Sequence, residues 1–309
     1  MPPTPDRRAL LTGLALAASA SAASAAAQPA SATRGAMEGH GGGPDGPLRF
    51  ARAINALKSD PRFSWGVYVP PSFAGDPAGH ELAVIVHGSG RDQWPCRERF
   101  EAFARFNRFV ILAPMFPVGV LGDDNADGYK YMAGGAIRYD RVLLDMVDEV
   151  GRALGRRFPK FMLHGFSGGG HFAHRFFYLQ PERLSAVSIG SPGGITLLDD
   201  TKDFWIGTRD FQKRFGRPID LAALRRVPVQ LVVGANDVEE FTYPAALGAF
   251  NAEQASLGKN RIERNATLLR NYKARGLNVR QVIVPNCAHD GEKVVADVQD
   301  FFLASRRSA

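Results

Sequence analysis

The stretch "KFMLHGFSGGGHF" (160–172) joins a short apolar run to a helix-favouring segment through glycines that surround one serine. Gly165 to Gly169 match the pattern G-x-S-x-G, which is informative where a strand turns directly into a helix. At such a corner small neighbours avoid a clash, and the serine hydroxyl projects above the sheet at the positive end of the helix. The pattern predicts that Ser167 is a nucleophile. The alternative is a glycine-rich turn; a phosphate loop is disfavoured, because neither G-x-G-x-x-G nor Gly-Lys-Ser/Thr occurs here.

The rest of the chain alternates short apolar runs with helix-favouring segments. Seven nearly continuous apolar runs fit strands buried on both faces of a parallel sheet: 63–70, 81–86, 108–114, 160–165, 184–190, 227–234 and 279–285. Helices are predicted over 138–154, 170–179, 244–275 and 291–304. The alternation predicts one α/β domain over residues 48–309, with a doubly wound, mostly parallel sheet. Two lid-like inserts interrupt it, at 117–136 and 192–226.

A serine nucleophile needs a base at the same edge of the sheet, because ligands of open α/β sheets bind at the carboxyl ends of the strands. His289 follows the last predicted strand, on a loop that can reach over the strand ends. His87 and His164 end apolar runs and are expected to be buried and hydrogen-bonded. His171 lies one turn into the predicted helix, where its ring points away from the hydroxyl or lines the pocket. We therefore predict that His289 is the base.

The base in turn needs a carboxylate that orients it. Asp237 directly follows the penultimate strand, on a loop that can approach the loop of His289. Glu239 and Glu240 lie further from the strand end, and Asp290 is expected to be a solvated neighbour of the histidine. Asp237 is therefore the predicted acid.

An oxyanion site is predicted at the end of "VIVHGSG" (84–90), where a strand runs into a turn of small residues. The N–H of Gly168, directly after the nucleophile, would supply one donor to a developing oxyanion. The N–H of Ser89, or that of Gly90, would supply the other. Each such donor is worth about 3 kcal/mol of transition-state stabilisation.

The segments HGSG (87–90), GFSGGG (165–170), GAND (234–237) and CAHD (287–290) together resemble those of α/β-hydrolases, whose catalytic residues follow the same Ser, Asp, His order. Within that superfamily the chain resembles secreted esterases and polyhydroxyalkanoate-depolymerase-like hydrolases, from about residue 65 to 302. The resemblance implies acyl transfer through a serine acyl-enzyme, with no cofactor or metal, on a small or polymeric acyl substrate. In one departure, such depolymerases often have a cysteine or an aromatic residue where this chain has Ser89. The substrate class is therefore not implied.

The residues that would contact the substrate are harder to predict. Arg91 follows the oxyanion turn, His171 lies beside the nucleophile, and Trp205 is one of several aromatic residues in or beside the inserts; all three are candidate substrate contacts. Basic residues near and within the inserts indicate either a basic cleft for anionic substrates, such as acidic polyamides, or a solvated surface. They are Lys130, Arg138, Arg209, Lys213, Arg214 and Arg217. The aromatic residues Phe116, Tyr129, Tyr131, Phe204 and Trp205 would fit an apolar acyl pocket equally well.

The composition narrows the function classes further. The formal net charge of +7 is modest and no recognition motif is present, so nucleic-acid binding is not expected. A non-catalytic binding protein of the same fold remains the alternative to an enzyme.

The amino terminus predicts export. Arg7 and Arg8 precede a short Leu/Ala run that ends in small residues before Gln28, which is the layout of a twin-arginine signal over residues 1–27. Residues 28–47 are rich in Gly, Ala and Pro and are predicted to be a flexible leader. No other segment is predicted to cross a membrane. The two cysteines, Cys96 and Cys287, leave a disulfide open, although the expected strand order puts about 19 Å between their strands.

Overall fold

The computed structural model describes residues 53–240 and 248–307. The predicted export signal and leader lie outside these residues and remain predictions. Ten strands occur in the described part of the chain. They are β1 (Asn55–Ala56), β2 (Ser64–Tyr68), β3 (Glu81–Val86), β4 (Phe109–Met115), β5 (Ala133–Gly134), β6 (Ile137–Arg138), β7 (Phe161–Phe166), β8 (Leu184–Gly190), β9 (Val229–Gly234) and β10 (Val279–Val284).

Eight of these strands form one sheet in the order β1-β2-β4-β3-β7-β8-β9-β10. Strands β4, β3, β7, β8, β9 and β10 pair in parallel, whereas β2 is antiparallel to β4 and β1 is antiparallel to β2. After β3 the chain forms β4 on one side of that strand, and later it forms β7 on the other side. This reversal opens a crevice at the carboxyl ends of β3 and β7, where open α/β sheets bind their ligands.

Helices cover both faces of the sheet. They are α1 (Gln93–Glu98), α2 (Glu101–Asn107), α3 (Tyr139–Ala153), α4 (Gly168–Leu179), α5 (Phe211–Phe215), α6 (Leu221–Arg225), α7 (Gly248–Ser256), α8 (Arg261–Ala274) and α9 (Val295–Arg307). Apolar residues of α3, α4 and α8 form one core, and those of α2 and α9 form the other. The predicted doubly wound, mostly parallel sheet is therefore confirmed.

All seven predicted strands form, but the last one differs in its burial. Strands β3, β4, β8 and β9 are buried almost throughout, as continuous apolar runs require. Among the described residues, strand β10 pairs only with β9, and its residue Ile283 is 48% exposed. The apolar run therefore belongs to an edge strand here. The sequence alone does not reveal which strand ends the sheet.

The long helix predicted over 244–275 is interrupted, and its residues 244–247 lie outside the described residues. Gly258 has φ of +143°, a backbone conformation that ends α7. Asn260 then caps α8, since its side chain accepts a hydrogen bond from Glu263 N at 3.0 Å. No helix in the described ranges is long and apolar enough to cross a membrane.

Candidate active site

Ser167 lies at the sharp corner between β7 and α4. Its φ of 56° and ψ of −114° are a strained combination for a residue with a side chain. Its N–H donates to Gly190 O at 2.9 Å, and its C=O accepts from His171 N at 3.1 Å, so the corner is tied to β8 and to the helix. These bonds hold the strain in place.

The glycines around Ser167 are required by close backbone contacts. A Cβ on Gly165 would lie 2.8 Å from Gly169 Cα, and a Cβ on Gly169 would lie 2.9 Å from His87 O. Contacts this short do not occur between real atoms of this kind, so a side chain at either position would force the strand and the helix apart. The flanking glycines therefore meet the steric condition for the turn that the sequence predicts.

Asp237 and His289 meet because the segments after β9 and β10 are bonded to each other. Asn236 N donates to Cys287 O at 2.7 Å, and Ala235 N donates to Val284 O at 2.8 Å. His289 Nδ1 then lies 2.8 Å from Asp237 Oδ2. With Nδ1–H donating to the carboxylate, Nε2 is left as a proton acceptor.

The carboxylate of Asp237 is fully buried and has a second cationic partner. Arg261 Nη1 donates to Asp237 Oδ1 at 3.1 Å. Burial raises the pKa of Asp237, but the hydrogen bond from His289 and the nearby charges of His289 and Arg261 outweigh it. The pKa of Asp237 is consequently lowered from its ordinary value, and the group stays ionised.

The turn after β3 is fixed by its neighbours while one of its amides stays available. Gly88 N donates to Asp92 Oδ1 at 3.2 Å, and Gly88 O accepts from His87 Nδ1 at 2.7 Å. Arg91 Nη1 donates to Ser89 O at 2.7 Å. Among the described residues, no protein acceptor is bonded to Ser89 N. This amide lies close to Gly168, because a Cβ there would be 2.9 Å from Ser89 N.

A cleft of about 500 Å³ opens above these residues. Ser89, Ser167 and His289 all line it, together with Phe100 and Phe166. The ring of Phe166 lies 4.9 Å from that of His289 and supports it from one side. No hydrogen bond joins Ser167 Oγ to His289 in the structure. The distance between these two groups commonly shortens when substrate binds.

The three candidate substrate contacts do not line this cleft. Arg91 donates to the carbonyls of Phe116, Ser89 and Ala126, so its guanidinium holds the surrounding loops together. These bonds use three of its five N–H groups, and the assignment of Arg91 as a substrate contact stays a prediction.

His171 and Trp205 also have protein partners, and their assignment as substrate contacts likewise stays a prediction. The buried ring of His171 lies 3.0 Å from Gly194 N and 3.2 Å from Arg175 Nη1. Trp205 packs its ring against Tyr131 with centroids 3.8 Å apart. The predicted lid-like role of the inserts is not confirmed, since no residue of 117–136 or 192–226 lines the cleft.

The other expectations from the sequence have mixed outcomes. His87 and His164 are buried and hydrogen-bonded, as predicted, and burial lowers the pKa of each to about 4. Cys96 and Cys287 are both free thiols, so the disulfide left open by the sequence is not formed. Cys287 Sγ instead faces the carbonyls of Ala288 and Asp290, at 3.3 Å and 3.7 Å.

Two residues of the site were missed by the sequence reasoning. Asp92 binds the Gly88 amide, and its position shortly after HGSG is the only local signal for this contact. Arg261 is 24 positions from Asp237, on a helix with no motif, and nothing in the sequence indicates their pairing. Within the described residues, no group of three or more His, Cys, Asp and Glu side chains has the geometry of a metal site.

Comparisons with solved structures identify the fold. A poly(3-hydroxybutyrate) depolymerase from Bordetella parapertussis superimposes with a TM-score of 0.64 at 22% identity, over 82% of this chain and 90% of that chain. A poly(aspartic acid) hydrolase from Sphingomonas sp. KT-1 gives 0.62 at 19% identity, over 77% and 92% respectively. An S-formylglutathione hydrolase from Agrobacterium tumefaciens gives 0.51 at 16% identity, over 78% and 88%.

No protein-family model and no curated protein matches the sequence. At these identities the structural likeness establishes the fold alone. The chain therefore has the α/β-hydrolase fold, as the resemblance in the sequence predicts.

Proposed function

We propose that the protein is a serine hydrolase that cleaves an ester or amide bond through a covalent acyl-enzyme. One observation carries the proposal: Ser167 and His289 line one cleft, and His289 is bonded to the buried carboxylate of Asp237. The solved structures of similar fold, which include a depolymerase and a hydrolase by name, support the same reaction class. A non-catalytic binding protein would not need the three side chains together.

The proposed reaction follows from the roles of the groups. His289 Nε2 accepts the proton of Ser167 Oγ as the oxygen attacks the acyl carbon. The N–H groups of Gly168 and Ser89 donate to the oxygen that becomes negative, and Asp237 stabilises the imidazolium. His289 returns the proton to the leaving group, which departs and leaves the acyl-enzyme. Water repeats the sequence, releasing the acid and restoring Ser167.

The charges around the cleft favour neutral substrates over anionic ones. Its wall carries the carboxylates of Asp92, Asp290 and Glu292 but only one guanidinium, that of Arg99. Most of the basic residues that the sequence offered for a basic cleft are held in ion pairs: Lys130 with Asp127, Arg138 with Asp140, Arg209 with Asp203, Arg214 with Asp210 and Arg217 with Glu182. We therefore favour an uncharged ester, including a polyester, over an acidic polyamide.

Export is part of the same proposal. It rests on the twin-arginine layout of residues 1–27, which lie outside the described residues. The test measures how much of the protein is secreted by cells that express the full chain. The comparison is a variant in which Arg7 and Arg8 are both replaced by Lys.

Active-site labelling tests the chemistry. A fluorophosphonate probe should form a covalent adduct at Ser167, located by peptide mass spectrometry, and a panel of neutral esters should be hydrolysed. Ser167→Ala should remove the adduct and lower kcat at least about a thousandfold without unfolding the protein.

Ser191 provides a matched control. It follows the neighbouring strand β8, has φ of 40° and is buried. Ser191→Ala should still be labelled at Ser167. Absence of labelling in the folded wild-type protein would refute the proposed function and favour the binding-protein alternative.

A further inference from the structure

Tyr129 belongs to the first insert and packs it against the turn after β3 that carries Ser89, the oxyanion turn. It lies in a short 3-10 turn, Gly128–Tyr131, and is 2% exposed. Its ring stacks on Phe116 with centroids 5.7 Å apart, and the guanidinium of Arg91 lies 4.9 Å from the ring centre. The aromatic ring is therefore fixed by its packing, which also fixes the direction of the hydroxyl.

The hydroxyl of Tyr129 is buried and has no hydrogen-bond partner in the structure. Burial raises the pKa of this phenol well above its ordinary value, so the group is a neutral O–H donor at any working pH. The Ser89 side chain acts on this pKa in the opposite sense but does not offset the effect of burial. A buried donor without an acceptor costs free energy, so its position calls for an explanation.

The position of this hydroxyl is set by Gly168. A Cβ on Gly168 would collide with Tyr129 Oη, and it would lie 2.9 Å from both the amide nitrogen and the hydroxyl of Ser89. Three polar atoms thus surround the space that a side chain at position 168 would fill. Both proposed oxyanion donors, the N–H groups of Gly168 and Ser89, belong to the backbone around this space.

We propose that Tyr129 and Ser89 form a hydroxyl pair that positions the oxyanion turn. The O–H of Tyr129 donates to Ser89 Oγ, which the exposed Ser89 side chain can present by rotation. This bond fixes Ser89 with its free amide toward the acyl oxygen. Tyr129 is a positioning residue because its hydroxyl is screened from the cleft. The inference rests on the proposed serine hydrolase function.

Two substitutions that each remove one hydroxyl test the pair. Tyr129→Phe keeps the ring and its packing, and Ser89→Ala keeps the amide. Each should lower kcat about tenfold with less than a twofold change in KM, because the turn acts on the transition state more than on bound substrate. The double variant should be no slower than the slower single variant, since all three lack the same hydrogen bond.

Tyr272→Phe is the matched control. Tyr272 is also fully buried, on α8, where its ring contacts those of His174, Phe177 and Tyr178, none of which lines the cleft. This variant should keep the wild-type kcat. A wild-type kcat in Tyr129→Phe, or effects of the two substitutions that simply add, would overturn the inference.

The experiment separates this inference from the proposed function. If the wild type is labelled at Ser167 and Tyr129→Phe matches its kcat, only the hydroxyl pair is refuted. If the wild type is not labelled, both are refuted. Should Tyr129→Phe fail to fold, Ser89→Ala decides alone, because its exposed side chain leaves the fold unaffected, and an unchanged kcat there refutes the pair.

Discussion

At the scale of single residues, Asp237 is distinguished by having two partners. His289 uses one carboxylate oxygen and Arg261 uses the other, at 2.8 Å and 3.1 Å. Arg261 fixes the carboxylate plane and therefore the imidazole.

Replacing Arg261 by Gln should lower the rate. We expect kcat/KM to fall about tenfold, since a hydrogen bond to a charged group is worth about 1.5 kcal/mol. Arg261→Lys keeps the charge beside Asp237 and should lose less of the rate. A wild-type kcat/KM in Arg261→Gln would show that Arg261 does not act on the pair of Asp237 and His289.

The contrast between Asp237 and Arg261 shows what residue patterns can predict. Asp237 follows a strand, and the carboxyl ends of parallel strands meet at one edge, so topology alone brings it toward His289. Arg261 begins a helix beyond residues 241–247, which the structure does not describe. Its direction depends on how that helix packs, and no short pattern encodes such packing.

At the scale of elements, helix α4 ties both inserts to the nucleophile. Arg175 is fully buried on α4, and its guanidinium donates to Lys130 O at 2.7 Å and to Thr196 Oγ1 at 3.1 Å. Lys130 belongs to the first insert and Thr196 to the second. The inserts are thus anchored beside the helix, and none of their residues lines the cleft.

Arg175→Met should therefore destabilise the fold. The substitution leaves buried acceptors in both inserts without their donor, and we expect the free energy of unfolding in urea to fall by about 3 kcal/mol. Arg141→Met, the same change at an exposed position on α3, should alter it by less than about 0.5 kcal/mol. Equal stability of the two variants would contradict the anchoring role.

At the scale of the whole molecule, the sheet could be predicted more fully than the cleft. Seven apolar runs specify seven strands because burial on both faces leaves a continuous signal. The antiparallel strand β1 has two residues and no such signal. The wall of the cleft comes from α1 and from the loop before α9, which pack together only in the folded chain. Trp205, a substrate contact predicted by nearness in sequence, does not line this cleft.

Buried histidines make the stability of the whole fold depend on pH. Burial lowers the pKa of His87 and His164 to about 4 and that of His174 to about 3, whereas each titrates near 6.5 when unfolded. The unfolded chain therefore binds more protons below pH 6.5, and stability falls as the pH drops toward 4. Between pH 7 and pH 5 each histidine should cost about 2 kcal/mol, measurable by urea unfolding. Carboxylates such as Asp237 act mainly below this window. His164→Gln should lessen the loss by one histidine's share, and a stability that is constant from pH 7 to pH 5 would contradict the prediction.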